Sequence, residues 1–307
     1  MAGVVIKKIL TSLVVLFGAL VLVFLIMNVL PGDPIFSIVD PTTTSPEEIA
    51  ALKHELGMDK PLGQQFVEYV IDILHGDFGK SRASSEPVLA LILKNLPKTI
   101  ELTVVSVVIS VTLGILLGIL SAVFRNRVLD TVVRVLSLIT ISMPTFWTGV
   151  LFILLFSVKL RWLPSMGSEG FRTLILPSVT LGIVSSGVIV RMVRNSALEI
   201  INEPFIVTLR AKGLAERTVM LRHVLRNVMI PTITVIGLQV TNMLAGSVII
   251  ETVFSRQGIG RIISTAIMAR DIPIVQGVVF FSAIICVVVN LVVDVSYAII
   301  DPRVRRA

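Results

Sequence analysis

Long apolar runs alternate with shorter polar segments along this chain. Six of the runs are long enough to cross a bilayer whose hydrocarbon core is about 30 Å thick. The pattern therefore predicts an all-α polytopic membrane protein with six transmembrane helices. The predicted spans cover residues 9–30, 100–124, 132–158, 174–194, 229–253 and 277–300.

The first apolar run resembles a signal peptide, because Lys7 and Lys8 precede it. The run from Ile9 to Leu30 is too long for a signal-peptide core, and no small-residue cleavage site follows it. It ends in the sequence PGDP at residues 31–34. We therefore interpret it as a retained first transmembrane helix.

The spans divide the chain into four parts. Residues 1–30 form the first transmembrane helix, and residues 31–98 form a polar extracytoplasmic segment. Residues 99–300 form a five-helix core that includes a basic cytoplasmic loop at 195–228. Residues 301–307 form a cytoplasmic tail.

The extracytoplasmic segment contains two predicted short helices. Ser45-Pro46-Glu47-Glu48 is a helix start signal, with Ser45 as N-cap and Pro46 at the first helical position. An amphipathic pattern covers Leu62–His75.

Composition and charge support the membrane assignment. Hydrophobic residues make up 54% of the chain and charged residues 15%, which is too little charge for a soluble surface. A net charge of +7 is compatible with nucleic-acid binding. The Lys and Arg residues, however, lie in loops between apolar runs, as membrane topology predicts. We therefore expect a lipid membrane as partner and no nucleic acid. Most loop Lys and Arg residues fall inside when the N-terminus is cytoplasmic, which predicts both termini inside.

Small residues recur every four positions in the second predicted span, at Ser106, Ser110, Gly114 and Gly118. This spacing forms one stripe on a helix, where a neighbouring helix can approach closely. The same spacing recurs in the sixth span at Ser282, Cys286, Asn290 and Asp294. Helix packing is the favoured interpretation of these stripes, and a translocation path is the alternative.

Polar side chains at membrane depth usually face protein or water. Gln239, Asn242 and Gly246 share one face of the fifth span, and Asn290 lies in the sixth. These four residues are the candidates for lining a translocation path. Asp294 could act as a relay, but its position near the cytoplasmic end favours pairing with a basic loop residue.

Pro144 falls in the middle of the third predicted span. Proline removes a backbone hydrogen bond inside a helix and kinks it. Two interpretations follow, a hinge that moves during transport and a static kink.

The chain lacks residues for nucleotide chemistry. Gly79-Lys80-Ser81 imitates the end of a P-loop, but Leu74 stands where the motif requires glycine. This stretch is also predicted to lie outside the cell, where ATP is absent. We therefore expect any ATP hydrolysis to occur in a separate subunit.

Hydrolytic and metal chemistry are equally unsupported. His54, His75 and His223 lie in loops that are far apart in sequence, and no H-E-x-x-H motif is present. An intramembrane protease would need such a constellation within the spans. We expect no catalytic residue, no metal site and no cofactor.

The most specific pattern lies in the cytoplasmic loop. Residues 203–214 read EPFIVTLRAKGL, residues 221–227 read LRHVLRN, and Pro231 follows. Further motifs are GDFGKS (76–81), SMP (142–144), GSVIIETVFS (246–255), GIGR (258–261), ARDIP (269–273) and NLVVDVSYAIIDPR (290–303). Together they resemble the dipeptide/oligopeptide/nickel branch of bacterial ABC importer permeases, whose cytoplasmic loop is the EAA-type loop. Val207 and Leu209 replace the arginine and alanine that are usual there.

The resemblance implies that a coupling helix in this loop docks onto an ATPase subunit. A short helix ending near Gly213 would present Ala211 and Gly213 as small contact points. A basic loop held at lipid head groups is the alternative. The candidate coupling residues are Glu203, Thr208, Arg210, Ala211, Lys212, Gly213, Arg222 and His223.

The resemblance also implies a type I importer permease fold and a transport cycle by alternating access in the bacterial cytoplasmic membrane. The implied partners are a second homologous permease, two cytoplasmic ABC ATPases and an extracytoplasmic substrate-binding protein. Short peptides are the expected substrate, since the spans contain no metal-ligand cluster; nickel, a metallophore or glutathione is the alternative. A stand-alone secondary transporter is a more remote alternative.

Overall fold

The computed structural model describes the backbone of residues 2–29, 44–55, 57 and 59–300, and the side chains of residues 10–25, 44–54, 57 and 59–293. The PGDP motif, the Asp294 side chain and the tail at 301–307 lie outside these residues. The described chain is built of helices. In order they are α1 (Ala2–Val29), α2 (Pro46–Glu55), α3 (Leu62–Leu74), α4 (Val88–Val123), α5 (Val128–Ser142), α6 (Thr145–Phe152), α7 (Phe171–Ile201), α8 (Pro204–Ala211), α9 (Glu216–Thr218), α10 (Leu225–Val253), α11 (Ile259–Ala269) and α12 (Ile272–Ile300). Two segments are π-helical: Ile153–Lys159 follows α6, and Val219–Val224 precedes α10.

Long apolar helices occupy the predicted spans. Four of them are long and apolar enough to cross a membrane, namely Val88–Val123, Phe171–Ile201, Glu216–Val253 and Ile272–Val293. The described side chains of α1 give a shorter apolar stretch, Leu10–Leu25. The polytopic all-α class is therefore confirmed.

The third predicted span, 132–158, is wrong as a single helix. It is broken into α5 and the pair formed by α6 and its π-helical continuation, which meet at 108°. Pro144 has φ −61° and ψ 133°, and Met143 before it is also extended. A proline ring fixes φ and disfavours the helical conformation of the preceding residue, so the helix ends there instead of kinking.

Both predicted short helices form. In α2 the Ser45 hydroxyl accepts the N–H of Glu48 at 3.2 Å, and the Glu48 carboxylate accepts the N–H of Ser45 at 3.1 Å. This reciprocal pair is a capping box, which satisfies N–H groups that lack partners within the helix. α3 begins at the predicted Leu62 and ends at Leu74, one residue before the predicted end, with His75 as its C-cap.

The chain folds as two compact units. One contains Met1–Pro97 and Gly258–Val287, and the other contains Lys98–Gln257 and Val288–Ala307. The four-part division made from the sequence follows membrane topology and stays a prediction.

The larger unit packs around α7. In the most apolar stretch of this helix, 61% of the residues are buried. Its hydroxyl residues Ser178 and Thr180 are fully buried. Thr180 donates to the carbonyl of Leu176 at 2.7 Å. Hydroxyls that bond their own helix backbone can be buried at little cost.

The small-residue stripe of α4 is a packing surface against α7. Gly114 faces Ile189, and a side chain at Gly118 would place its Cβ 2.7 Å from Val193. Ser106 is fully buried on the same stripe. The packing interpretation of this stripe is therefore confirmed.

The smaller unit has its own apolar contacts. Val88, Ile259 and Val278 share one buried cluster, and Gly277 lets α12 approach Val88 closely. The hydroxyl of Ser81 donates to the carboxylate of Asp271 at 2.7 Å. This bond joins the turn before α4 to the connection between α11 and α12.

Candidate coupling loop and translocation path

The candidate coupling helix is α8. Glu203 is extended as its N-cap, and Pro204 occupies the first helical position, where a missing N–H costs nothing. Gly213 ends the helix with φ +79°. Its N–H donates to the carbonyl of Arg210 at 2.9 Å, and the N–H of Leu214 donates to that of Leu209 at 3.3 Å. These bonds satisfy carbonyls left free at the helix end.

One face of α8 is anchored in the larger unit. Ile206 is fully buried in a cluster that includes Val193 and Val224. Leu209 and Leu214 pack against the same cluster. Burial of these side chains fixes the orientation of α8 at the base of α7 and α10.

The opposite face of α8 is exposed and partly apolar. Phe205 is 43% exposed and Val207 is 59% exposed, and Leu221 nearby in sequence is 51% exposed. The predicted contact residues Thr208, Ala211, Lys212 and Gly213 are also exposed. Sequence reasoning chose polar, charged and small residues here and missed the exposed apolar residues Phe205 and Val207. A contiguous exposed apolar patch marks an interaction site, and these side chains are candidates for one.

Arg210 pairs with Glu216 across the loop. Its guanidinium donates to both carboxylate oxygens of Glu216, at 3.0 and 2.7 Å. The hydrogen-bonded carboxylate raises the pKa of Arg210 above its usual value. Sequence reasoning predicted Arg210 as a contact residue and missed Glu216, because two residues six positions apart reveal no pairing until the chain turns at Gly213.

Arg222 and His223 lie in the π-helical segment before α10. Arg222 is exposed and His223 is half-buried. The Asn227 side chain donates to the backbone carbonyl of His223 at 2.8 Å. π-Helical turns often occur at functional positions, so this segment belongs with α8 in the candidate site.

A buried ion pair supports the base of the loop. Arg194 Nε donates to Asp130 Oδ1 at 2.8 Å, and Arg194 Nη2 donates to Asp130 Oδ2 at 3.0 Å. The Ser121 hydroxyl donates to Asp130 at 2.6 Å. These bonds join the end of α4, the start of α5 and the cytoplasmic end predicted for α7. Sequence reasoning missed this cluster, because Ser121 and Arg194 lie 73 positions apart.

The predicted path residues do not share one environment. Gln239 lines a small recess with Ser110, Ile189 and Met243. Gly246 packs toward Leu181 of α7. These two residues therefore face the interior of the larger unit.

Asn242 and Asn290 are exposed on the surface of the same unit. Exposed carboxamides on apolar helices require a polar neighbour or water within a membrane. Their role in a path stays a prediction, as does a hinge role for Pro144.

Two further polar pairs lie where α4 and the end of α10 meet. The Thr99 hydroxyl donates to the fully buried Glu251 at 2.5 Å. Arg256, which is 1% exposed, donates to Glu101 at 2.6 Å. Sequence reasoning missed both pairs, because partners more than 150 positions apart leave no local signal.

Comparison with known proteins gives family matches over nearly the whole chain. Residues 114–306 match the family described as "Binding-protein-dependent transport system inner membrane component", and residues 1–103 match its N-terminal companion. The chain is 40% identical over 305 residues to the glutathione transport system permease protein GsiC of Escherichia coli (strain K12), covering 99% of each chain. The same values hold for GsiC of Salmonella typhimurium (strain LT2).

A solved structure shares the fold. The inward-facing MetNI methionine ABC transporter gives a TM-score of 0.61 at 20% identity, covering 71% of this chain and 99% of that chain. At this identity the likeness concerns the fold alone.

Proposed function

We propose that this chain, which belongs to the family of binding-protein-dependent transport system inner membrane components, carries short peptides across the membrane. It is a multi-pass permease of an ABC transporter and has the fold of a type I importer permease. The members of its family are membrane components of transport systems and not catalytic subunits.

The observation that carries the peptide proposal is the 40% identity to glutathione permeases over 99% of the chain. Glutathione is itself a short peptide, so one path can suit both. The exposed carboxamides of Asn242 and Asn290 add support, because a carboxamide can donate to and accept from a peptide bond. Glutathione is the second candidate, favoured by the names of these relatives.

The substrate test uses the complete transporter in proteoliposomes, with both permeases, the ATPases and the binding protein. ATP hydrolysis and uptake are measured with a dipeptide, a tripeptide, an oligopeptide, glutathione and nickel. We expect peptides or glutathione to stimulate both activities. Stimulation by nickel alone would refute the peptide proposal.

A variant pair tests the contribution of the path. Asn242→Leu should raise KM for the transported peptide, because it removes a polar contact at the exposed face of α10. Thr234→Val is the matched control, since Thr234 is also exposed on α10 but is not a predicted path residue. Equal KM values for the two variants would remove Asn242 from the path.

We propose that α8 transmits the ATPase cycle to the membrane helices. Two ATPases would dock on this chain and on a second permease, and a binding protein would deliver substrate from outside. The exposed Phe205 and Val207 suit docking, and the buried Ile206 ties α8 to the bundle. Movement of α8 would then reorient the helices in alternating access.

The proposed orientation places both termini and α8 in the cytoplasm. The support is the excess of Lys and Arg in the segments that this orientation puts inside. Green fluorescent protein fused after Ala307 should fluoresce, while alkaline phosphatase fused there should stay inactive. The opposite pattern would reverse the orientation.

A further inference from the structure

Helix α3 packs alongside α1 through aromatic rings. The ring centroid of Phe66 lies 6.1 Å from that of Phe17 and 5.2 Å from that of Phe24. The Tyr69 ring lies 5.8 Å from the Phe24 ring. Ile73, one turn further along, is buried in a cluster with Leu20. One face of α3 is therefore covered by α1.

These contacts place α3 at hydrocarbon depth. Phe17 lies in the middle of the apolar stretch Leu10–Leu25 of α1. Along the helix axis, Phe17 lies roughly 18 Å from the end of α1 at Val29, at a rise of about 1.5 Å per residue. A helix that touches Phe17 must therefore lie beside the apolar half of α1 and not beyond its end.

A second face of α3 is apolar and exposed. Val67 is 55% exposed, Ile71 is 47% exposed and Leu74 is 77% exposed. Their spacing of four and three residues forms one stripe, which lies about 100° around the helix from Phe66. We call Val67, Ile71 and Leu74 the free stripe.

The polar residues of α3 occupy the remaining sector. Gln64, Glu68 and Asp72 recur every four residues and are exposed. Glu68 also forms an ion pair with Lys60, whose Nζ lies 2.6 Å from Glu68 Oε1, so the charge of Glu68 is partly balanced. The helix thus has three sectors, one against α1, one apolar and free, and one polar.

We infer that α3 is an amphipathic helix whose free stripe lies in the acyl chains of the leaflet that holds the C-terminal half of α1. The exposed Leu22 (54%) and Leu25 (50%) of α1 continue this apolar surface. A helix with one wide apolar arc and one polar face is stable where the arc meets acyl chains and the polar face meets head groups and water. The polar sector then faces the head groups and water.

Lipid fits the free stripe better than a soluble protein does. A soluble partner approaches from water and meets the polar sector first, whereas the free stripe lies at the depth of the α1 side chains. α3 would therefore anchor the extracytoplasmic segment to the bilayer surface. This inference does not depend on the transported substrate.

The test measures the environment of spin labels on α3 in the complete transporter. Single cysteines replace Val67 and Leu74 in a Cys286→Ser background, in vesicles of phosphatidylethanolamine and phosphatidylglycerol. Two matched controls calibrate the result: Asp72→Cys reports the polar sector, and Ile73→Cys reports the face against α1. Collision with oxygen, which enters lipid, is compared with collision with a water-soluble nickel chelate.

We expect labels at 67 and 74 to collide several-fold more often with oxygen than with the nickel chelate, and the label at 72 to show the reverse. Lipids that carry a nitroxide on the acyl chain should broaden the signals at 67 and 74 alone. Low collision with both reagents, as expected at 73, would mean that protein covers the free stripe and would overturn the inference. High collision with the nickel chelate would mean that water covers it and would overturn the inference too.

Discussion

Asp130 is fully buried, and its carboxylate accepts hydrogen bonds from Arg194, from the Ser121 hydroxyl and from the backbone N–H of Asn126. A buried charge without partners would be costly, and this set of donors offsets the loss of water. Arg134 also approaches Asp130, at 3.6 Å, but its side chain is half exposed. The two arginines therefore differ in what their loss would do.

Arg194→Ala should lower the free energy of unfolding by about 3–5 kcal/mol, because it leaves the Asp130 carboxylate buried without its main partner. Thermal unfolding of the purified complex measures the effect. Arg134→Ala is the control, with an expected loss below about 1 kcal/mol for an exposed pair. Equal decreases in the free energy of unfolding for the two variants would show that the buried pair stabilises the fold no more than the exposed pair does.

Glycine is favoured at position 213 because of the left-handed backbone conformation there, not because a larger side chain would clash. Its φ is +79°, and a side chain at this position would meet nothing within 4 Å. The left-handed conformation costs other residues about 1–2 kcal/mol, least for Asn and Asp and most for β-branched residues.

Gly213→Val should therefore reduce substrate-stimulated ATP hydrolysis and uptake, with normal membrane insertion. Gly213→Asn should retain most of both activities, and Gly213→Asp should fall between them. Gly63→Ala, on a glycine that also has open space around it but lies in α3, should have no effect on coupling. Full activity in Gly213→Val would contradict a role for this helix end.

At the scale of elements, α8 has two faces with different tasks. Ile206 and Val207 are neighbours in sequence, yet Ile206 is fully buried and Val207 is 59% exposed. The buried face holds α8 to the bundle, and the exposed face is free for a partner.

Ile206→Ala should destabilise the chain by about 2–5 kcal/mol, because it leaves a cavity in the core. Val207→Asp should leave the thermal unfolding temperature nearly unchanged but reduce the amount of ATPase that co-purifies. Thermal unfolding and co-purification are measured for both variants. If Val207→Asp retained the ATPase fully, the exposed face of α8 would not be the docking surface.

At the scale of the whole molecule, the chain has abundant apolar surface and a permease fold, and its family supplies a membrane component and not the catalytic subunit. We propose that a partner subunit supplies the energy for transport. The chain alone in liposomes should not accumulate substrate under an ion gradient, and uptake should appear only with ATPases and ATP. Uptake driven by an ion gradient alone would support a secondary transporter.

Most membrane spans and the ends of the short helices were predictable from the sequence, whereas the third span is broken at Pro144, where only a kink or hinge was predicted. A span needs a fixed length of apolar residues, and a cap or a helix stop needs particular residues at particular positions, as at Ser45 and Gly213. Both are local properties, so a linear pattern records them. The loop that contains α8 was identified by its resemblance to the EAA-type loop of importer permeases.

Only the tertiary structure decided which polar groups meet. Asp130 and Arg194 are 64 positions apart, and Arg210 turns back to Glu216 only because the chain reverses after α8. The placement of α3 against α1 also depends on neighbours in space. Sequence by itself determined the apolar lengths and the caps, because each is set within one or two helical turns; the pairings of charges and faces required the packed helices, because their partners are distant along the chain.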